Sequence, residues 1–216
     1  MRYHNITKDD MLNGDGLRVV LWVSGCSHCC KECQNPVTWD PNSGILFDES
    51  AKQEIFEQLE KAYISGITFS GGDPLYVQNI SEVTKLAKEI KEKYPSKTIW
   101  LYTGALWESL QGEEILNYLD VLVDGEFKEE LKDVTLVFRG SQNQRIIDVQ
   151  ESRNQGTVVG GILQRRKLMG FLHQRVQLLF CRHSGDVLFG IFGMDHIHKG
   201  ADPHHKKFIQ IGSGNA

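Results

Sequence analysis

Four cysteines fall within eight residues, Cys26-Ser27-His28-Cys29-Cys30-Lys31-Glu32-Cys33. Cys26, Cys30 and Cys33 give the spacing C-x3-C-x2-C. Three thiolates on one short loop can hold three irons of a [4Fe–4S] cluster, whereas protein-bound clusters usually take four cysteines. A fourth iron without a cysteine is an open coordination position, and open positions are where metal sites do chemistry. Cys29 is redundant in this spacing and reads as a bystander. The competing metal is zinc, since three cysteines and His28 make a Cys3His set. Zinc sites, however, usually pair C-x2-C knuckles from two separated segments. His28 also sits too close in sequence to its flanking cysteines to close a tetrahedron easily.

The elements around this loop have to place it. Asn13 to Arg18 is a Gly-rich turn, and Arg18 at its end could face an anion or a partner. The apolar run Val19-Val20-Leu21-Trp22-Val23 reads as a buried strand, so the cysteines follow a strand's C-terminal end, where α/β folds place their sites. Asp48 is a candidate N-cap, with Ile55, Leu59, Ala62 and Tyr63 on one helical face and Gly66 as the stop. Ile67-Thr68-Phe69 is a short strand, followed at once by Ser70-Gly71-Gly72-Asp73-Pro74. Strand, glycines, acid and proline describe a tight turn whose backbone can approach a ligand closely. A second amphipathic helix carries Ile80, Val83, Leu86, Ala87 and Ile90 and stops before Pro95. Strands at 98–102 and 121–124 end on Thr103-Gly104 and on Asp124, two candidate rim positions. A short helical stretch at 105–118 and a last strand at 145–149 complete the pattern. Strands alternating with helices predict βαβ units and a parallel sheet.

The cysteine spacing resembles the radical S-adenosylmethionine (radical SAM) superfamily. Asn13-Gly14-Asp15-Gly16-Leu17-Arg18, Asn35-Pro36, Thr38-Trp39, Ser70-Gly71-Gly72-Asp73-Pro74 and Gly140-Ser141-Gln142-Asn143-Gln144-Arg145 narrow the likeness. Together they resemble the activating proteins of anaerobic ribonucleoside-triphosphate reductase, over residues 1–159. The resemblance implies a partial, open β/α barrel, because a full barrel typically needs about 250 residues. It implies Cys26, Cys30 and Cys33 as cluster ligands, with the open iron chelating S-adenosylmethionine (SAM). Gly71, Gly72 and Asp73 match the superfamily's GGEP motif, which grips the ammonium of the methionine moiety; carbonyls and a carboxylate are acceptors suited to it. Thr103 and Asp124 would join at the rim. Many superfamily members carry an aromatic beside the third cysteine to stack on adenine. Here Glu32 and Gln34 flank Cys33, leaving their backbone to bind adenine edges. One electron through the cluster would cleave SAM to methionine and a 5′-deoxyadenosyl radical, which in the family takes a hydrogen atom from a glycine of the reductase's large catalytic subunit. A low-potential donor such as flavodoxin is implied. An activase of another glycyl-radical enzyme, such as pyruvate formate-lyase, is the nearest alternative, and a zinc-stabilised binding protein the alternative of a different class.

Composition bounds the rest. The 216 residues are 40% hydrophobic and 24% charged, ordinary for a globular chain. Four of five cysteines in one loop and no apolar leader at Met1–Asn5 predict a reducing cytoplasm rather than disulfides. No apolar run reaches the roughly 18 residues of a membrane span, and nucleic acid is not an expected partner. The net charge of −4 hides a split: residues 160–216 carry eight Lys/Arg against three acids, a net of +5, and residues 1–159 carry −9. Six of the eight histidines also lie after 159. Gly160-Gly161 therefore reads as a hinge between an activase domain, 1–159, and a poorly structured, non-catalytic C-terminal extension, 160–216. Within it Leu168, Leu172, Val176 and Leu179 have helical spacing, His196, His198, His204 and His205 could bind a metal, and Cys181 reads as a partly buried thiol.

Overall fold

The computed structural model describes residues 1–161. The basic helical stretch, the histidine group, Cys181 and the expected lack of structure in the extension all lie outside the described residues. Within them the chain is a mixed α/β fold on one open sheet of seven strands: β1 (Arg2–Asp10), β2 (Leu17–Val23), β3 (Ile45–Leu46), β4 (Ile64–Gly71), β5 (Thr98–Tyr102), β6 (Val121–Asp124) and β7 (Arg145–Asp148). The spatial order is β3-β1-β2-β4-β5-β6-β7.

The parallel sheet expected from the alternation is its centre, since β2, β4, β5 and β6 are parallel neighbours. Both flanks differ. On one side β1 runs antiparallel to β2 and to β3; on the other β7 runs antiparallel to β6. β1 escaped the sequence reading because only Tyr3 and Ile6 are buried along its nine residues, too few for a legible alternation. The 105–118 stretch forms two single turns of 3-10 helix, Trp107–Ser109 and Glu114–Asn117, rather than an α-helix.

Helix α1 (Glu49–Leu59) starts where Asp48 accepts a hydrogen bond from the Ala51 N–H. It ends earlier than the spacing predicted: Ala62 and Tyr63 are exposed and Gly66 lies inside β4. Gly66 belongs there because a Cβ would stand 1.9 Å from the Thr98 carbonyl oxygen. Helix α2 (Ile80–Lys93) buries Val83, Leu86, Ala87 and Ile90, and Tyr94 caps it before Pro95. α1 and α2 pack on one sheet face, against Val19, Leu21, Ile67, Phe69, Ile99, Leu101 and Leu122. A third helix, α3 (Val149–Gln155), is capped by Asp148.

The opposite face carries Arg18, Trp22, Thr68, Ser70, Trp100 and Tyr102, and the segment 125–144 lies over part of it. Phe138 packs edge-on to Trp100, centroids 5.4 Å apart, and the Tyr102 hydroxyl donates to the Phe138 carbonyl. Arg18 does not face a partner: it is fully buried. Its Nε donates to Thr68 Oγ1, its Nη1 to the Asp15 carbonyl and Thr98 Oγ1, and its Nη2 to the Ile67 and Thr98 carbonyls. Gly160 and Gly161, the last described residues, still bond to the sheet. Gly160 bridges to Ile147, and the Gly161 N–H donates to the Ile146 carbonyl, so the sheet's β7 edge is completed past Val159. Among the described residues no helix is long and apolar enough to cross a membrane.

Candidate metal centre

A cavity of about 570 Å³ opens on the face opposite α1 and α2, at the C-terminal ends of the parallel strands. Four loops converge there, which is where open α/β sheets bind ligands. Cys26, Cys30 and Cys33 after β2, Gly71–Asp73 after β4 and Thr103–Gly104 after β5 all line it; Cys29 does not. The three lining cysteines are half-buried and Cys29 is exposed. Two residues of the loop, Cys29 (φ 48°) and Glu32 (φ 56°), take the left-handed conformation that bends it back on itself.

The loop is held to the sheet by backbone. Gly25 and Cys26 N–H groups donate to the Thr38 and Trp39 carbonyls, and the Gly72 and Asp73 N–H groups to the Val23 and Gly25 carbonyls. Asn79, buried, donates to the Ser24 carbonyl. This stitching explains the two glycines. Gly71 has φ +109°, and a Cβ there would meet Val23 backbone at 2.6 Å; Gly72 has no positive φ, but a Cβ would stand 2.5 Å from the Gly25 carbonyl oxygen. The close approach is thus to the cysteine loop itself.

Asp73 is almost fully buried. Its Oδ2 accepts from Thr103 Oγ1 (2.9 Å), the Gly104 N–H (3.3 Å) and His28 Nε2 (2.9 Å), and its Oδ1 from the Leu75 N–H (2.8 Å). Four bonds nearly saturate a carboxylate, so Asp73 braces the site, and Thr103, whose hydroxyl also accepts from the Ala105 N–H, braces Asp73. Gln34 lines the cavity, but Glu32 is exposed outside it. Asp124 is likewise outside. It is fully buried, accepts from the Trp107 N–H, and is paired with Arg145, which reaches on to Glu108. Arg145 holds the Glu108 carboxyl down to about 2.

Sequence reasoning missed His28 except as a weak zinc ligand. Its Nδ1 bonds Glu126 Oε1 (3.0 Å) while Nε2 bonds Asp73. Two carboxylate acceptors require both nitrogens to carry protons, and the Asp73 bond, aided by Glu126, raises the imidazole pKa to about 9 despite burial. Such a ring has no lone pair left for a metal. Burial pushes the Cys26 and Cys30 thiols up, a cost that a metal removes by taking the thiolate.

The donor set suits a sulfur-ligated cluster. Three thiols face one cavity, the Asn35 N–H already donates to Cys33 Sγ (3.4 Å), and Trp39, another lining residue, has a buried indole N–H with no acceptor. Among the described residues no three His, Cys, Asp or Glu side chains converge as ligands of a single ion. Cluster cysteines each hold a different iron and need no such convergence.

A family model described as a 4Fe-4S single cluster domain matches residues 12–147. The chain is 44% identical over 146 residues to the anaerobic ribonucleoside-triphosphate reductase-activating protein of Enterobacteria phage T4, covering 68% of this chain and 93% of that one. It is 41% identical to the proteins of the same name from Haemophilus influenzae, over 150 residues (68% and 97%), and Escherichia coli K12, over 148 residues (67% and 96%).

Proposed function

The chain belongs to the family of anaerobic ribonucleoside-triphosphate reductase-activating proteins, and from that premise we propose that it is a radical SAM activase. Its target is the large catalytic subunit of the reductase, on which it generates a glycyl radical. In this reading Cys26, Cys30 and Cys33 hold three irons of a [4Fe–4S] cluster, and the fourth iron takes SAM. Bound together, cluster and SAM supply a one-electron reductive cleavage of the sulfonium.

The chain's own residues bind, orient and exclude water. The Gly71–Asp73 backbone offers acceptors to the methionine ammonium, while Asp73 and Thr103 fix that turn from behind. Backbone at Cys33–Gln34 serves adenine, with no aromatic beside Cys33 to stack on it. Trp22, Tyr102, Phe127 and Phe138 give the cavity an apolar lining, so a reactive species formed there meets few water molecules. The open sheet is then the partial barrel of the radical SAM type, its mouth left free for the reductase. A flavodoxin-like donor supplies the electron, in the cytoplasm, and the extension after the two glycines that pair with β7 is non-catalytic.

The observation that carries this reading is the convergence of the three spaced cysteines with the Gly71–Asp73 turn on one cavity, while Cys29 stays outside. The test is anaerobic reconstitution with iron and sulfide. A brown protein with four irons per chain, forming 5′-deoxyadenosine from SAM and dithionite and a glycyl radical signal on the reductase, is expected. A colourless chain with one zinc would sink the proposal.

A further inference from the structure

One imidazole touches three of the four loops that build the cavity. His28 leaves the cysteine loop between Cys26 and Cys30, and its Nε2 bonds Asp73 of the turn after β4. Its Nδ1 bonds Glu126, just past β6. The ring lies flat against the end of β5: a Cβ on Gly104 would stand 2.5 Å from His28 Cδ2, so that position has room for hydrogen only. Glu126 is tied in turn to the run Gly140–Arg145, because Asn143 Nδ2 donates to its carbonyl at 2.8 Å. The contact is also two-stranded. Lys31 of the cysteine loop pairs with Glu129 at 2.7 Å.

We infer that His28 is a positioning residue of the cofactor site, its imidazole locking the cysteine loop to the Gly71–Asp73 turn on one side and to the segment after β6 on the other. The inference rests on the activase reading above, and deepens it. Cluster and SAM amino group are held by different loops, so their separation is set by whatever fixes those loops together. Backbone bonds do this at the base of the loop, where the Val23 and Gly25 carbonyls accept from the Gly72 and Asp73 N–H groups. Beyond Cys26 the loop bulges outward, and His28 is the side chain that returns it to the turn. It does so through Asp73 Oδ2, which also accepts from Thr103 and Gly104 just past β5. A side chain that holds the binding loops together orients the groups that would meet the cofactors.

The test uses the full chain, reconstituted anaerobically, in wild-type form and as His28→Ala, His28→Gln and Asp73→Asn. Iron content, SAM affinity by titration, and the paramagnetic spectrum of the reduced cluster with and without SAM are the readouts. His28→Ala should keep its iron yet bind SAM about 10–100-fold more weakly, the range typical of lost supporting bonds around a metal site, with a blunted SAM-induced spectral change. His28→Gln retains an amide donor and should recover part of the affinity. The double variant His28→Ala/Asp73→Asn should be no weaker than the weaker single one, because both remove the same link. Unchanged SAM affinity in His28→Ala overturns the inference. So does loss of the cluster in both His28 variants, which would make the histidine part of cluster assembly. Wild-type chain that assembles a cluster without responding to SAM would overturn the activase reading, and this inference with it.

Discussion

At the scale of single residues, spacing was the most informative signal. The three cysteines at C-x3-C-x2-C were legible because the order of sulfur atoms along a loop is a sequence property, and the cavity takes those three while leaving Cys29 in solvent. Single Cys→Ala changes at positions 26, 30 and 33 should each abolish the cluster's absorbance after reconstitution, while Cys29→Ala keeps full iron content. The opposite pattern at 29 and 30 would reassign the ligands. Gly72→Val should damage both functions at once, since its side chain would drive into the Gly25 carbonyl. Iron content and SAM affinity should fall together, whereas a loss of SAM affinity alone would confine Gly72 to the SAM turn. The roles of Asp73, Thr103 and Asp124 were not legible: a carboxylate at a strand end looks the same in sequence whether it meets a ligand or a neighbouring side chain. Arg18 is the same lesson in reverse. An arginine beside a Gly-rich turn suggested a cation facing an anion or a partner, yet its five donors all go to neutral acceptors and its guanidinium lies 5.4 Å from the Trp100 ring centroid. Lysine has three donors and a strongly hydrated head. Arg18→Lys should therefore destabilise the fold by about 2–4 kcal/mol, from orphaned acceptors and a poorly solvated ammonium, seen as a lower denaturant midpoint; a shift under about 0.5 kcal/mol, the size of an ordinary surface change, would refute the account.

At the scale of elements, α1, α2 and the four parallel strands were legible because each buries a regular stripe, whereas α3 was not read. β2, buried along nearly its whole length, reads as a continuous apolar run. β1 and β7 were harder. β1 buries too little, and the direction of β7 depends on the segment 125–144 returning across the sheet, which no local pattern encodes. What fixes β7 against β6 is visible only in three dimensions. Arg145 on β7 forms a bidentate pair with Asp124 on β6 and a second with Glu108 beside the first 3-10 turn. Asp124 is fully buried, so Arg145→Met leaves a charge without a partner in a dry place. Removing one member of such a pair costs about 3–5 kcal/mol, and thermal unfolding should show it. Asp124→Asn in the same chain should return much of the loss, because the orphaned charge goes with it. Glu108 is exposed and adds little. Its carboxyl, held down to about 2 by Arg145, favours the fold above its ordinary value of 4.5 and loses that contribution as pH falls through 2. Recovery absent in the double variant would mean that the strand pairing, not the charge, is what Arg145 supports.

At the scale of the whole molecule, the question is how much of the chain the chemistry needs. The relatives align over 146–150 residues, 93–97% of their own length but only 67–68% of this chain. Among the described residues every element that reaches the cavity lies before β7 ends, and the net charge runs from −9 over residues 1–159 to +5 beyond. Sequence placed the boundary at Val159, but the last pairing runs further. The Asp148 N–H donates to the Val159 carbonyl, and the Gly161 N–H to the Ile146 carbonyl. A cut after Val159 removes the second bond from the sheet's edge, at a cost of about 0.5–1.5 kcal/mol, so the cut belongs after Gly161. A chain truncated there should take up a full cluster, cleave SAM and activate the reductase at least as well as the full-length protein. The competing idea is that the basic residues after 161 lie against the acidic body and shape the surface that meets the reductase. Oppositely charged segments of one chain attract, and the attraction weakens with salt within a Debye length of about 8 Å at physiological strength. The two ideas separate on the order of losses. If truncation removes cluster assembly or SAM cleavage, residues 162–216 belong to the working fold. If it removes only reductase activation, and does so most at low salt, they are a docking element. Equal activity of both chains across salt concentrations leaves them without a part in the reaction.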